Sequence, residues 1–186
     1  MISKVKALAG IITVLFIANM LAPAYGASVT DLKADQTLTV GTVTVDVIGT
    51  NLVVTYTITA SNWYFLETHL AVALQLSSIP QTKSGNPIPG RFAYTMDHVP
   101  PDATGSGGTT SYTYTIPLSE IGANPGDTVY IAAQAGVGQF AWGNWDNDAA
   151  TPDTYGLVLE ETAWGQGLPF PDAKNWAMYF TFVVPV

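Results

Sequence analysis

Apolar and polar residues alternate with period two along most of the chain. Thr42-Val43-Thr44-Val45-Asp46-Val47-Ile48 puts Val43, Val45 and Val47 on one face. Leu52–Ile58 returns after the turn Gly49-Thr50-Asn51, so the pair reads as a β-hairpin. Trp63–Leu76 is the longest strand expected. Leu66, Thr68, Leu70, Val72, Leu74 and Leu76 share one face of it, and Glu67, His69, Ala71, Ala73 and Gln75 share the other. Ser111–Ile116, Thr128–Val137 and Asn175–Val184 alternate in the same way, and Gln36–Val40 is a weaker strand at the start. Beyond residue 26 no stretch carries an apolar 3.6-residue period. Pro117–Ile121 has room for one helical turn before Gly122.

Six to nine short strands separated by Gly/Pro turns predict an all-β fold, an antiparallel β-sandwich of Ig-like or jelly-roll-like type. The alternation selects Val45, Val54, Leu70, Val72, Tyr114, Ile131 and Phe180 for its core. Three connections are long for such a fold: Ser77–Arg91, Met96–Thr110 and Gly136–Gly156. Loops of this length, held by a rigid scaffold, often carry function.

Residues 1–26 read differently. Lys4 and Lys6 precede an apolar run from Ala7 to Leu21, Pro23 breaks it, and Ala24-Tyr25-Gly26 follows. That is the order of a secretory signal peptide cleaved after Gly26, leaving one domain over 27–186. Lys6-Ala7-Leu8-Ala9 also resembles the processing site of archaeal type IV pilin-like precursors, an alternative that would cut earlier. Cleavage after Gly26 removes two lysines and no acids, leaving 4 basic and 14 acidic residues, a net charge of −10. Such a chain has too few cations to bind nucleic acid, and a secreted or cell-surface location is expected. The chain has no cysteine, which excludes disulfide frameworks and thiol chemistry.

Candidate chemistry is sparse. Glu67 and His69 lie two apart on one strand face, which suits an acid–base pair, a metal site or a structural pair. Asp146, Asp148 and Asp153 make an oxygen-rich loop that could take calcium, although the spacing departs from the EF-hand pattern. Trp142, Trp145, Tyr155 and Trp164, with Phe140 and Phe170, would form a sugar-stacking platform if exposed and a plug on the fold if buried. No nucleophile elbow, HExxH or Gly-rich phosphate loop is present, and no enzymatic activity is expected.

The run Glu67–Val72, continued by Ile79–Phe92, resembles a segment of uncharacterised secreted domains in bacterial and archaeal cell-surface proteins, as do Tyr130–Ala135, Glu161–Gly165 and Asn175–Phe180. The resemblance spans most of residues 40–184 and implies an extracellular β-sandwich module, with no established activity. In that pattern a second His often stands where this chain has Ala71 or Gln134, so a His-based metal site is not carried over.

Together these features predict a secreted structural or adhesive cell-surface domain. Its partners would be other surface subunits, glycans or further copies of itself, the last where the terminal segment Ala27–Val40 pairs in trans and not, as is commoner for a terminal strand, within its own sheet. The alternative is a soluble calcium- or carbohydrate-binding module.

Overall fold

The computed structural model describes residues 27–144 and 153–186. It is all-β and antiparallel. The strands are β1 (Ser28–Ala34), β2 (Leu38–Ile48), β3 (Asn51–Ile58), β4 (Trp63–Ala73), β5 (Tyr94–Asp97), β6 (Ser111–Pro117), β7 (Thr128–Gly143), β8 (Thr154–Gly165), β9 (Leu168–Pro169) and β10 (Met178–Val183). One helical turn, α1 (Leu118–Ile121), follows β6 and ends on Gly122 in the left-handed region, as Pro117–Ile121 suggests. Among the described residues no helix is long and apolar enough to cross a membrane.

The hydrogen-bonded path runs β5-β4-β7-β8-β1-β2-β3-β6. A sandwich of two separate sheets is therefore replaced by one sheet curled until it is nearly closed into a barrel. Its end strands meet through side chains. Tyr94 and Tyr114 lie 6.1 Å apart and His98 and Tyr112 4.9 Å apart. Residues 109 and 110 stitch the gap, Thr109 bridging to Phe65 and the Thr110 carbonyl accepting from the Ile58 amide at 2.8 Å.

Period-two alternation fills the interior. Val43, Val45, Leu52, Val54, Tyr56, Phe65, Leu70 and Ile131 are fully buried there. Each such side chain contributes about 1.5–3 kcal/mol by leaving water. Tyr114 is also buried, whereas Val72 and Phe180 are partly buried against this core. The only buried polar inward group on β4, Thr68, is satisfied by the Tyr114 hydroxyl at 2.8 Å and a His98 ring nitrogen at 2.9 Å. Tyr114 in turn donates to the Thr68 carbonyl at 3.0 Å.

Two strands depart from the pattern read in the sequence. β1, with a bulge between Leu32 and Lys33, lies ahead of the expected strand Gln36–Val40 and pairs within its own chain, with β2 and at its end with β8. Within the expected loop Gly136–Gly156, β7 continues to Gly143 and β8 begins at Thr154. β7 is also shared along one edge: Gln134–Gly143 pairs with β8, whereas Thr128–Ile131 pairs with β10. A bulge in β4 between Phe65 and Glu67 shifts the register there. Phe65 stays inside and Leu66, expected inside, loses full burial.

Candidate functional site

The outer face of β4 and β7 is not left to solvent. A second apolar cluster sits on it, with Ala71 and Ala132 as its sheet floor and Ile79, Phe92, Trp164, Phe170 and Ala177 above. The small alanines let two loops approach closely. Trp164 anchors both, edge-on to Phe92 at 6.4 Å and to Phe170 at 6.5 Å. The loops also grip each other: the Lys174 amide donates to Asn86 Oδ1 at 2.7 Å. Gly85 has φ of 80°, and a Cβ there would lie 2.6 Å from the Pro171 carbonyl oxygen, so this crossing point needs glycine.

Where this cover ends, a cleft of about 440 Å³ opens. Its floor is two rows of the sheet. His69, Gln134 and Trp164 are neighbours across β4, β7 and β8, and Glu67, Gly136 and Thr162 form the next row. Pro87, Pro89 and Gly90 wall one side, and Asn175 and Trp176 the other. His69 Nε2 lies 3.2 Å from Glu67 Oε2. Gly136 makes space for the Glu67 side chain: a Cβ at 136 would lie 2.8 Å from Glu67 Cγ and 3.3 Å from Oε1.

Two buried polar atoms on this floor have no hydrogen-bond partner, His69 Nδ1 and Gln134 Oε1. Gln134 is only 5% exposed. Leaving such a group unpaired costs about 1–3 kcal/mol, a cost recovered when a water or ligand supplies the partner. With the Trp176 indole among the same lining residues as these unpartnered atoms, the cleft is equipped to hold a small polar molecule with an apolar face.

The residues singled out in the sequence fall in different places. Glu67 and His69 come together as expected, and the cleft forms around them. Trp164 lies there too, but at 4% exposed it is an anchor with little surface to offer. Trp142 and Tyr155 pair at the far end of β7 and β8, 5.5 Å apart, so the four aromatics do not form one platform. Tyr155 is buried between Phe140 and Trp142, and Trp142 remains 57% exposed. Trp145, Asp146 and Asp148 lie outside the described residues. Asp153 is exposed, and among the described residues no group of three or more His, Cys, Asp or Glu side chains converges on a metal position. His98, the second histidine, belongs to the Thr68–Tyr112 cluster and not to the cleft. Burial pushes its pKa down, partly offset by Asp97.

Gln134, Asn175 and Trp176 were not expected at a site. Gln134 could have been suspected as a lone polar residue among Ala132, Ala133 and Ala135, at an outward position of an otherwise small-residue strand. Asn175 and Trp176 could not, because they reach the cleft through the loop crossing at Gly85.

No protein-family model matches the chain, and no curated protein does. A solved structure from Bacteroides uniformis, titled a "putative carbohydrate binding protein", is similar at 10% identity with a TM-score of 0.30. The similarity covers 69% of this chain, which spans about half the length (55%) of that protein.

Proposed function

We propose that this protein is a non-enzymatic extracellular domain that binds a saccharide unit in the Glu67–His69–Gln134 cleft and serves adhesion or attachment at a cell surface. The observation that carries the reading is the pair of unpartnered buried polar atoms, His69 Nδ1 and Gln134 Oε1, in a cleft also lined by Trp176. A pyranose presents hydroxyl donors at its edge and an apolar C–H face, and both needs are met in one place. The acidic, cysteine-free composition and the leader-like residues 1–26 support an extracellular setting. The resemblance to secreted surface domains supports it as well.

The test is an NMR titration of the protein with a panel of neutral mono- and disaccharides, following the Trp176 indole N–H and the Gln134 side-chain amide. Saturable shifts at millimolar ligand, worth about −4 kcal/mol, are expected. They should disappear in Trp176→Ala and survive in Trp142→Ala. Shifts centred on Trp142, or none in the cleft, would overturn the assignment.

A further inference from the structure

We infer that the cleft selects amino sugars, saccharide units carrying a protonated amine, over their neutral and acidic counterparts. This deepens the saccharide reading above and rests on it. The argument is an inventory of donors and acceptors. His69 Nε2 faces Glu67 Oε2 at 3.2 Å, so with the carboxylate ionised that nitrogen carries the proton and donates. His69 Nδ1 is then a bare acceptor, and it is one of the two unpartnered buried atoms. The other, Gln134 Oε1, is an acceptor as well. Glu67 Oε1, lying over Gly136, is a third.

Three acceptors on one floor, one of them charged, call for a ligand rich in N–H and O–H donors. An ammonium group supplies three donors and the complementary charge. Among the described residues lining the cleft there is no Lys or Arg, and Glu67 is the one carboxylate. A uronic or sialic acid would bring a second negative charge against Glu67, with no Lys or Arg among the lining residues to offset it. The Trp176 indole on the wall adds a surface that attracts cations. Glu67 is 46% exposed at its side chain, so its charge can meet a ligand without a prior rearrangement.

The experiment compares glucosamine, N-acetylglucosamine, glucose and glucuronate on the protein at about pH 7.2, where a sugar amine is still mostly protonated and an ordinary imidazole is mostly neutral. Binding is read by NMR at Trp176 and by calorimetry. Glucosamine should bind about tenfold more tightly than glucose, the worth of one charge-assisted hydrogen bond, and glucuronate more weakly than glucose. N-acetylglucosamine keeps the N–H and loses the charge, so it should fall with glucose. Glu67→Gln keeps the shape of a half-exposed side chain and should remove the preference for glucosamine while glucose binding persists. Equal affinity for glucosamine and glucuronate would overturn the inference and leave the saccharide reading intact. A preference that survives in Glu67→Gln would overturn the role of Glu67 in it. Absence of cleft shifts with all four sugars would overturn both.

Discussion

Replacing Gly136 by Ala separates a site built for Glu67 from a strand that merely tolerates it. Gly136 lies within β7 and outside the left-handed region, so alanine brings no left-handed backbone strain. The added Cβ would sit 2.8 Å from Glu67 Cγ, 3.4 Å from Cδ and 3.3 Å from Oε1. Carbon atoms in contact prefer about 3.5–4.0 Å, so the side chain must move away by roughly 1 Å. The His69–Glu67 approach of 3.2 Å is already at the long end of hydrogen bonding, and a shift of that size opens it. The stability cost is small: a half-exposed histidine–carboxylate contact contributes about 1 kcal/mol or less. Removing a glycine from the unfolded chain returns about 0.4–1 kcal/mol. The two nearly cancel, so the melting temperature should stay within about 3 °C, since 1 kcal/mol moves a domain of this size by about 2–4 °C. Binding should change far more. With the carboxylate displaced, glucosamine affinity should fall about tenfold and the His69 ring resonances should shift. Thermal melting and NMR titration on the same sample give both readings. A melting temperature lower by more than about 8 °C would show that Gly136 is a packing glycine. Unchanged ligand affinity together with unchanged His69 shifts would show that Glu67 is no part of a site.

Leu70 has no exposed surface, and Leu70→Ala should cost about 2–5 kcal/mol in a urea melt. A cost near zero would place Leu70 outside the core. Gly85→Ala forces a residue with a Cβ into φ of 80° against the Pro171 carbonyl, and should cost about 1–3 kcal/mol. Hydrogen exchange should localise the loss to the two cleft loops, and even loss over the whole sheet would refute their separate anchoring. Burial pushes the Tyr114 hydroxyl up to about 12, despite its bond to Thr68, and raises Tyr56 as well. The folded state thus holds protons that the unfolded chain releases near pH 10. This stabilisation is complete below pH 10 and is lost as pH rises from 10 towards 12. Urea midpoints that stay flat over that interval, or an unaltered alkaline slope in Tyr114→Phe, would contradict it.

The interior of the fold was largely legible because its strands obey a strict alternation. Val45 and Val54 face each other across the β2–β3 hairpin at the register the turn dictates. The outer features were not, each for a physical reason. Leu66 continues the alternation of Thr68 and Leu70 in the sequence, and only the bulge, a matter of pairing with β7, displaces it. In β8, Leu157-Val158-Leu159 and Glu160-Glu161 break the period. That stretch pairs with β7 alone while β1 reaches only Ala163–Gly165, so one edge is free and no second neighbour enforces alternation. Glu67 and His69 were visible as a pair, since two residues on one strand face need no tertiary information. The cleft around them was not, because Pro87–Gly90 and Asn175–Ala177 are far apart in sequence and only the folded loops bring them to Glu67, His69 and Gln134.

The placement of the site follows from what a small curled sheet does with its two faces. Its interior is occupied by Tyr56, Phe65, Leu70, Ile131 and their neighbours, as interiors of small barrels are. A ligand must therefore be held outside, where a strand would ordinarily show polar residues to water. Here the outer positions of β4 and β7 run from alanine to chemistry: Ala73, Ala71, His69 and Glu67 on one, Ala132, Gln134 and Gly136 on the other. The alanines accept the loops, and the loops stop where His69 and Gln134 begin. Trp164, Phe92 and Phe170 form a core that the sheet does not need for closure, since β4 and β7 are already paired along most of their length. What that second core does is fix the positions of Pro87–Gly90 and Asn175–Trp176 relative to the floor. Preorganised walls reduce the ordering cost of binding, which matters most for a ligand that makes few contacts. On the reading proposed above, the aromatic residues of this second core hold the two loops in place around His69 and Gln134, and a ligand entering the cleft would meet walls already set.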